Sequence, residues 1–135
     1  MNYKRLALAA IAASISLFLG EMAFIALMGG RLMAARQAAG LPLITPQPLV
    51  SIIELLLTGA FIVWLYAAIR TRYGAGPMTA VGAGFASWTG IVLLSTIHMI
   101  GDNMGFPATL LLMVAGVILP VFILTAVVGA WVYRE

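Results

Sequence analysis

The chain has 135 residues, 64% of them hydrophobic and only 8% charged, with a formal charge of +3 and no cysteine. A soluble domain carries about 25% charged residues, so this is the composition of one compact integral membrane domain, and so small a charge excess reads as membrane topology and not as a nucleic-acid surface. Without cysteine, disulfides, thiolate metal sites, Cys nucleophiles and covalent c-type haem are excluded.

In chain order, a basic start with Lys4 and Arg5 precedes an apolar run over residues 6–28. At about 23 residues the run is long enough to span a bilayer and too long for a signal-peptide core. It is expected to be retained as the first transmembrane helix. Gly29-Gly30 is expected to end it. A linker over 29–48 follows, with Arg31, Arg36, Pro42, Pro46 and Pro48. Within it, 32–39 suits a short interfacial helix, and the proline-rich remainder cannot continue one. Three more apolar runs cover 49–69, 78–100 and 108–132, joined by a basic turn at 70–77 and a short turn at 101–107. All four have helical length, unlike the ten-residue alternation of a barrel strand. The expected fold is an all-α membrane protein, four transmembrane helices in an up-down bundle. Lys4, Arg5, Arg70, Arg72 and Arg134 fall on one side of such a bundle, against Arg31 and Arg36 on the other. The positive-inside rule then puts both termini and the 70–77 turn in the cytoplasm.

Four ionisable groups define the candidate site. Glu21 lies within the first apolar helix, roughly 10 Å from its expected end at 1.5 Å per residue. Glu54 lies about 7–8 Å into the second helix from the same side. His98 sits near the end of the third span, and Asp102 follows it by four residues, on the same face if the helix persists. Intramembrane acids normally face a bundle interior, a partner or a wet cavity, so Glu21, Glu54, His98 and Asp102 are expected to line one region near the outer leaflet. Each has polar neighbours at helical spacing: Ser14 with Glu21, Ser51 and Thr58 with Glu54, and Ser87 and Ser95 with His98. The structural alternative for Glu21 is a neutral carboxylic acid hydrogen-bonded to a neighbouring helix. For Glu54 and His98 it is interfacial placement, and for Asp102 beside Asn103 it is turn chemistry. Two Glu and one His suit a metal such as Zn, Mn or Fe. A di-iron carboxylate bundle, however, needs two Glu-x-x-His pairs and two further Glu, and this chain has one His. No metal site is assigned. A bis-histidine haem would need a second copy of the chain, and no cofactor is specified.

Other motifs have plainer readings. Gly82-Ala83-Gly84-Phe85-Ala86 carries the first two glycines of a dinucleotide site but sits in a lipid span with no preceding strand. Gly82, Ala86 and Gly90 repeat every fourth residue and are expected to pack against another helix. Pro120 deprives the Gly116 carbonyl of its helical donor and predicts a kink. Trp131 and Tyr133 suit an interfacial anchor, and the serines lack a His-Asp arrangement for nucleophilic catalysis.

Met1-Asn2-Tyr3-Lys4-Arg5, Gly20-Glu21, the stretch from Trp64 to Ala80 and the ending from Gly129 to Glu135 resemble a group of small bacterial four-span membrane proteins. The likeness implies a bacterial inner membrane and four helices, and it brings no activity with it. A more generic likeness is to small multidrug resistance transporters, which have four short helices and a functional Glu in the first. That likeness implies a proton-and-cation role for Glu21. The long first loop, Glu54 and the charge bias depart from that pattern. The leading expectation is a non-enzymatic protein. It binds a small or lipid-like ligand at Glu21, Glu54, His98 and Asp102, or serves as an accessory subunit. The alternatives are a proton-coupled transporter working as a dimer and a membrane-embedded metal-dependent enzyme. The expected partners are bilayer lipid and either a larger membrane complex or further copies of the chain, and no nucleic acid.

Overall fold

The computed structural model describes residues 2–42, 45 and 47–133. Its helices are α1 (Tyr3–Ala38), α2 (Pro48–Tyr73), α3 (Pro77–Trp88), α4 (Leu94–Gly101) and α5 (Ala108–Val132). A π-helical turn at Thr89–Leu93 joins α3 to α4, so these two form one continuous third span. Four apolar helical stretches are therefore long enough to cross a membrane. Successive spans run antiparallel, and both α1's start and α5's finish lie at one end, called here the terminal end. The opposite end is the far end.

Local chemistry accounts for most helix boundaries. The Asn2 side chain accepts from the Arg5 amide at 3.2 Å and caps α1, satisfying an orphan first-turn donor. Pro48 and Pro77 occupy first-turn positions of α2 and α3, where a missing amide costs nothing. The first helix does not end at Gly29-Gly30. It runs on to Ala38, about 54 Å at 1.5 Å per residue and longer than a hydrocarbon core of about 30 Å. Two interior glycines cost about 1 kcal/mol each, and the strong helix formers from Leu32 to Ala38 carry the helix past them. The true stop is Gly40, whose φ of +66° suits a left-handed cap. Its amide bonds Gln37 O at 3.1 Å, and the Leu41 amide bonds Arg36 O at 3.0 Å. The segment expected to be an interfacial helix is thus the end of α1, and the connection to α2 covers only 39–47.

α1 packs beside α2 and α5, and the third span packs beside α5 and α2. The α2–α5 pair is therefore central, with α1 and the third span on opposite flanks. Small residues set the close approaches. A Cβ at Gly84 would meet the Ile123 Cα and the Phe122 carbonyl, both at 2.8 Å. Gly59 likewise lies against Ser14 and the Ala10 carbonyl, and the Ser14 hydroxyl reaches Leu55 O at 3.1 Å. The Gly82–Ala86–Gly90 stripe does the opposite of what its spacing suggests. All three are exposed, and a Cβ at Gly82 or Gly90 would meet nothing within 4 Å. The packing face is Ala80, Ala83, Gly84, Ser87 and Trp88. This helix carries small residues on both faces, so spacing alone does not choose between them.

Burial is uneven along the bundle axis. Near the terminal end, Ala9, Ala13, Val63, Tyr66, Ala67, Ala80, Ala83 and Tyr133 make one core cluster. Arg70 closes that end: its guanidinium donates to Tyr133 O at 3.2 Å and lies over the Tyr133 ring. A second cluster joins Leu17, Ile62, Trp88, Ala115, Phe122 and Ala126 at mid-depth. Beyond it α1 and α5 keep Met28 and Leu111 buried, while α2 and α4 are open. No α2 residue before Gly59 is buried, and in α4 only Thr96 is.

Candidate functional site

Glu21 sits four residues beyond Leu17, on the α1 face that turns towards the bundle, and is half-buried. Gly20 beside it packs against Val121, which places Glu21 at the level of Pro120. Glu54 lies on α2, five residues beyond the Gly59–Ser14 contact, and so at a depth near that of Glu21. A helical side chain leans towards its own N-terminus. Because α1 and α2 are antiparallel, the two carboxylates lean towards one another in depth. Glu54 is itself exposed and lines a groove of about 550 Å³ with Val50, Ile53, Leu57, Thr58, Phe61 and Ile91. The groove walls are apolar apart from Glu54 and Thr58.

His98 and Asp102 stand elsewhere. The α4 helix does persist to Gly101, and His98 Nε2 lies 3.2 Å from Asp102 Oδ2. Both are exposed, on the span diagonal to α1. Of the four sequence-selected residues, His98 and Asp102 form a pair, while Glu21 on α1 and Glu54 on α2 lie at similar depth apart from them. Among the described residues no three His, Asp or Glu side chains stand close enough to hold a metal ion. Chemically, Glu54 offers an acceptor carboxylate in an apolar groove, Glu21 offers a half-buried one on α1, and His98 with Asp102 makes a self-satisfied imidazole–carboxylate couple at the rim.

Three features at the level of Glu21 have no counterpart in the sequence reading. The first is the π turn, in which the Leu94 amide bonds Thr89 O. The second is the Trp88 indole, which donates to Ala115 O at 2.8 Å in a buried bond between α3 and α5. The third is a pair of fully buried hydroxyls, Ser87 Oγ and Thr125 Oγ1, that have no hydrogen-bond partner. Pro120 is the one feature at this depth that the sequence signalled. It removes an amide donor one turn after Gly116, next to the carbonyl that Trp88 takes.

The π turn also explains why Ser87, Ser95 and His98 do not share a face. Leaving one π turn shifts every later residue by one position, about 100° of rotation. In an unbroken α-helix the buried face through Ala80, Gly84 and Ser87 would continue through Ile91, Ser95 and His98. Instead Val92, Thr96 and Met99 are turned inwards, and Ile91, Ser95 and His98 are exposed.

The fold defines a multi-pass α-helical membrane protein, with two of its few acidic side chains, Glu21 and Glu54, inside apolar helices. Comparison with protein-family models, with curated proteins and with solved structures finds no match to this chain.

Proposed function

We propose that this chain is a small, non-enzymatic multi-pass protein of a bacterial inner membrane that takes a small or lipid-like ligand into its open half beside Glu21 and Glu54. Both termini and the 70–77 turn face the cytoplasm, so the open half lies in the outer leaflet. The observations that carry the reading are Glu21, half-buried on the bundle side of α1, and Glu54, exposed in an otherwise mainly apolar groove of α2 and the third span. An ionisable group at such depth is costly unless it serves a partner or a ligand. His98 and Asp102 form the rim of the opening. Binding as an accessory subunit of a larger membrane complex uses the same surface and the same residues.

The test is native mass spectrometry of the gently extracted protein. The wild-type chain is expected to retain a small molecule or lipid that the Glu21→Gln, Glu54→Gln double variant loses. Equal retention by both, or a bare chain in both, overturns the reading.

A second reading, a proton-coupled transporter working as a dimer, is favoured by one observation: the π turn and Pro120 lie at the level of Glu21, where helices with weakened hydrogen-bond ladders can bend. Glu21 would then carry the proton. Proton movement by purified protein in liposomes, abolished by Glu21→Gln, separates this reading from simple binding.

A further inference from the structure

The terminal end, away from Glu21 and Glu54, holds a second cavity. A pocket of about 390 Å³ lies there between α2, α3 and α5, lined among others by Tyr66, Gly76, Pro77, Ala80, Ala130 and Trp131. Tyr66 forms its floor and is only 4% exposed. Pro77 and Trp131 stand exposed at its rim. We propose that this pocket binds the headgroup end of an anionic phospholipid of the adjoining leaflet, with the Tyr66 hydroxyl and the uncapped start of α3 as donors to the lipid phosphate.

Four observations support the site. First, the Tyr66 ring packs edge-on against Tyr133, and its hydroxyl bonds no described residue. A buried phenol normally has a hydrogen-bond partner, and the pocket is the space this one lines. Second, the start of α3 is also unsatisfied. Gly76 at the N-cap has no side chain to offer, Pro77 has no amide, and the Thr79 hydroxyl donates to Gly74 O at 2.8 Å instead of capping. The Met78 and Thr79 amides are first-turn donors without an intrahelical acceptor. They begin a continuous span, Pro77–Gly101, so the positive end of a long helix dipole borders the pocket wall. Third, the charge at this end has one sign. Lys4, Arg5, Arg70 and Arg72 lie there, and among the described residues the end has no acidic side chain. Arg72, exposed over the Tyr73 ring, is four residues before Gly76. Such a basic rim attracts anionic headgroups. Fourth, Tyr73 and Trp131 are both exposed at this end, and amphipathic rings gather at the headgroup level. The pocket therefore opens where lipid phosphates lie, and the acyl chains stay in the hydrocarbon. This site is separate from the opening at Glu21 and Glu54, so either reading can fail alone.

The test uses the full chain carrying Glu21→Gln and Glu54→Gln, which silences the other site. In nonionic detergent it is titrated with phosphatidylglycerol, phosphatidylcholine or inorganic phosphate, and native mass spectrometry counts what is bound. One phosphatidylglycerol is expected to bind, about tenfold more tightly than phosphatidylcholine, and phosphate alone is expected not to bind. Tyr66→Phe keeps the ring and its contact with Tyr133 but removes one charge-assisted hydrogen bond, and is expected to weaken phosphatidylglycerol binding about tenfold. Gly76→Asp separates binding from folding. A Cβ at Gly76 would meet nothing within 4 Å, and its φ of 172° is extended backbone that aspartate adopts freely. The new carboxylate caps the α3 amides and repels the phosphate. This variant is expected to melt no lower than its parent and to lose at least tenfold in phosphatidylglycerol affinity. The proposal is overturned if the two lipids bind alike, if inorganic phosphate binds as tightly as the lipid, or if either folded variant binds phosphatidylglycerol as its parent does. Should Tyr66→Phe fail to fold, Gly76→Asp decides.

Discussion

Substituting Gly84 and Gly82 by alanine, each in turn, separates packing from propensity within one helix. The two positions are two residues apart in α3 and gain the same helix propensity, about 0.8–1 kcal/mol, when Gly becomes Ala. Their surroundings differ completely. At Gly82 the new Cβ meets open space, whereas at Gly84 it arrives 2.8 Å from the Ile123 Cα, 2.8 Å from the Phe122 carbonyl oxygen and 3.1 Å from the Ala126 Cβ. Carbon atoms in contact rest about 3.5–4.0 Å apart. The two nearest atoms are backbone, so no rotamer change relieves the clash, and α3 and α5 must separate by several tenths of an ångström or more. Overpacking of this kind costs typically 1–3 kcal/mol. The difference between the two variants, in which propensity cancels, is therefore expected to be about 1–3 kcal/mol, with Gly84→Ala the less stable. Reversible unfolding in mixed micelles measures it. Equal stabilities, or a larger loss at Gly82, would refute the assignment of the packing face and restore the Gly82–Ala86–Gly90 stripe as the contact.

Trp88→Phe keeps the ring packing but removes the 2.8 Å bond to Ala115 O. A loss of about 0.5–1.5 kcal/mol is expected, read in the same unfolding assay. Glu21→Gln is expected to insert and fold, because a neutral amide fits the half-buried position. Glu21→Lys places a fixed charge there, with a penalty of about 2.5–3.5 kcal/mol on insertion scales, and should reduce the yield of folded protein from membranes. For topology, Tyr73→Cys is expected to react only from the cytoplasmic side and Asn103→Cys only from the outside. Labelling of residue 73 from the outside would reverse the orientation.

The four spans were legible because apolar length is a coarse property that survives local detail. Their ends were less so. Gly29-Gly30 looks like a stop, yet Gly40, followed by Leu41 and Pro42, is the glycine with the surroundings of a helix cap. The candidate site was legible residue by residue and not as a whole. His98 and Asp102 are four apart in a helix that reaches both, so their pairing follows from spacing. The expectation that His98 shares a face with Ser87 assumed uninterrupted 3.6-residue periodicity. A π turn cancels that assumption, and no residue in Thr89-Gly90-Ile91-Val92-Leu93 signals one. The depth of Glu21 counted from Met28 presumes a helix end that α1 does not have, and the Gly20–Val121 contact sets its level against α5 instead. The Trp88 bond to Ala115 is a tertiary accident of two helices meeting, and the indole in the sequence gives no sign of its partner.

The central claim of the proposed function is that Glu21 and Glu54 serve one ligand together while His98 stands apart from them. Paired cysteines test this directly in native membranes. Glu21→Cys with Glu54→Cys is expected to cross-link readily through a short bifunctional reagent, and Glu21→Cys with His98→Cys to cross-link at most as a minor product. If the first pair fails to cross-link while the second does so in high yield, the carboxylate pair is not the site and the account is contradicted.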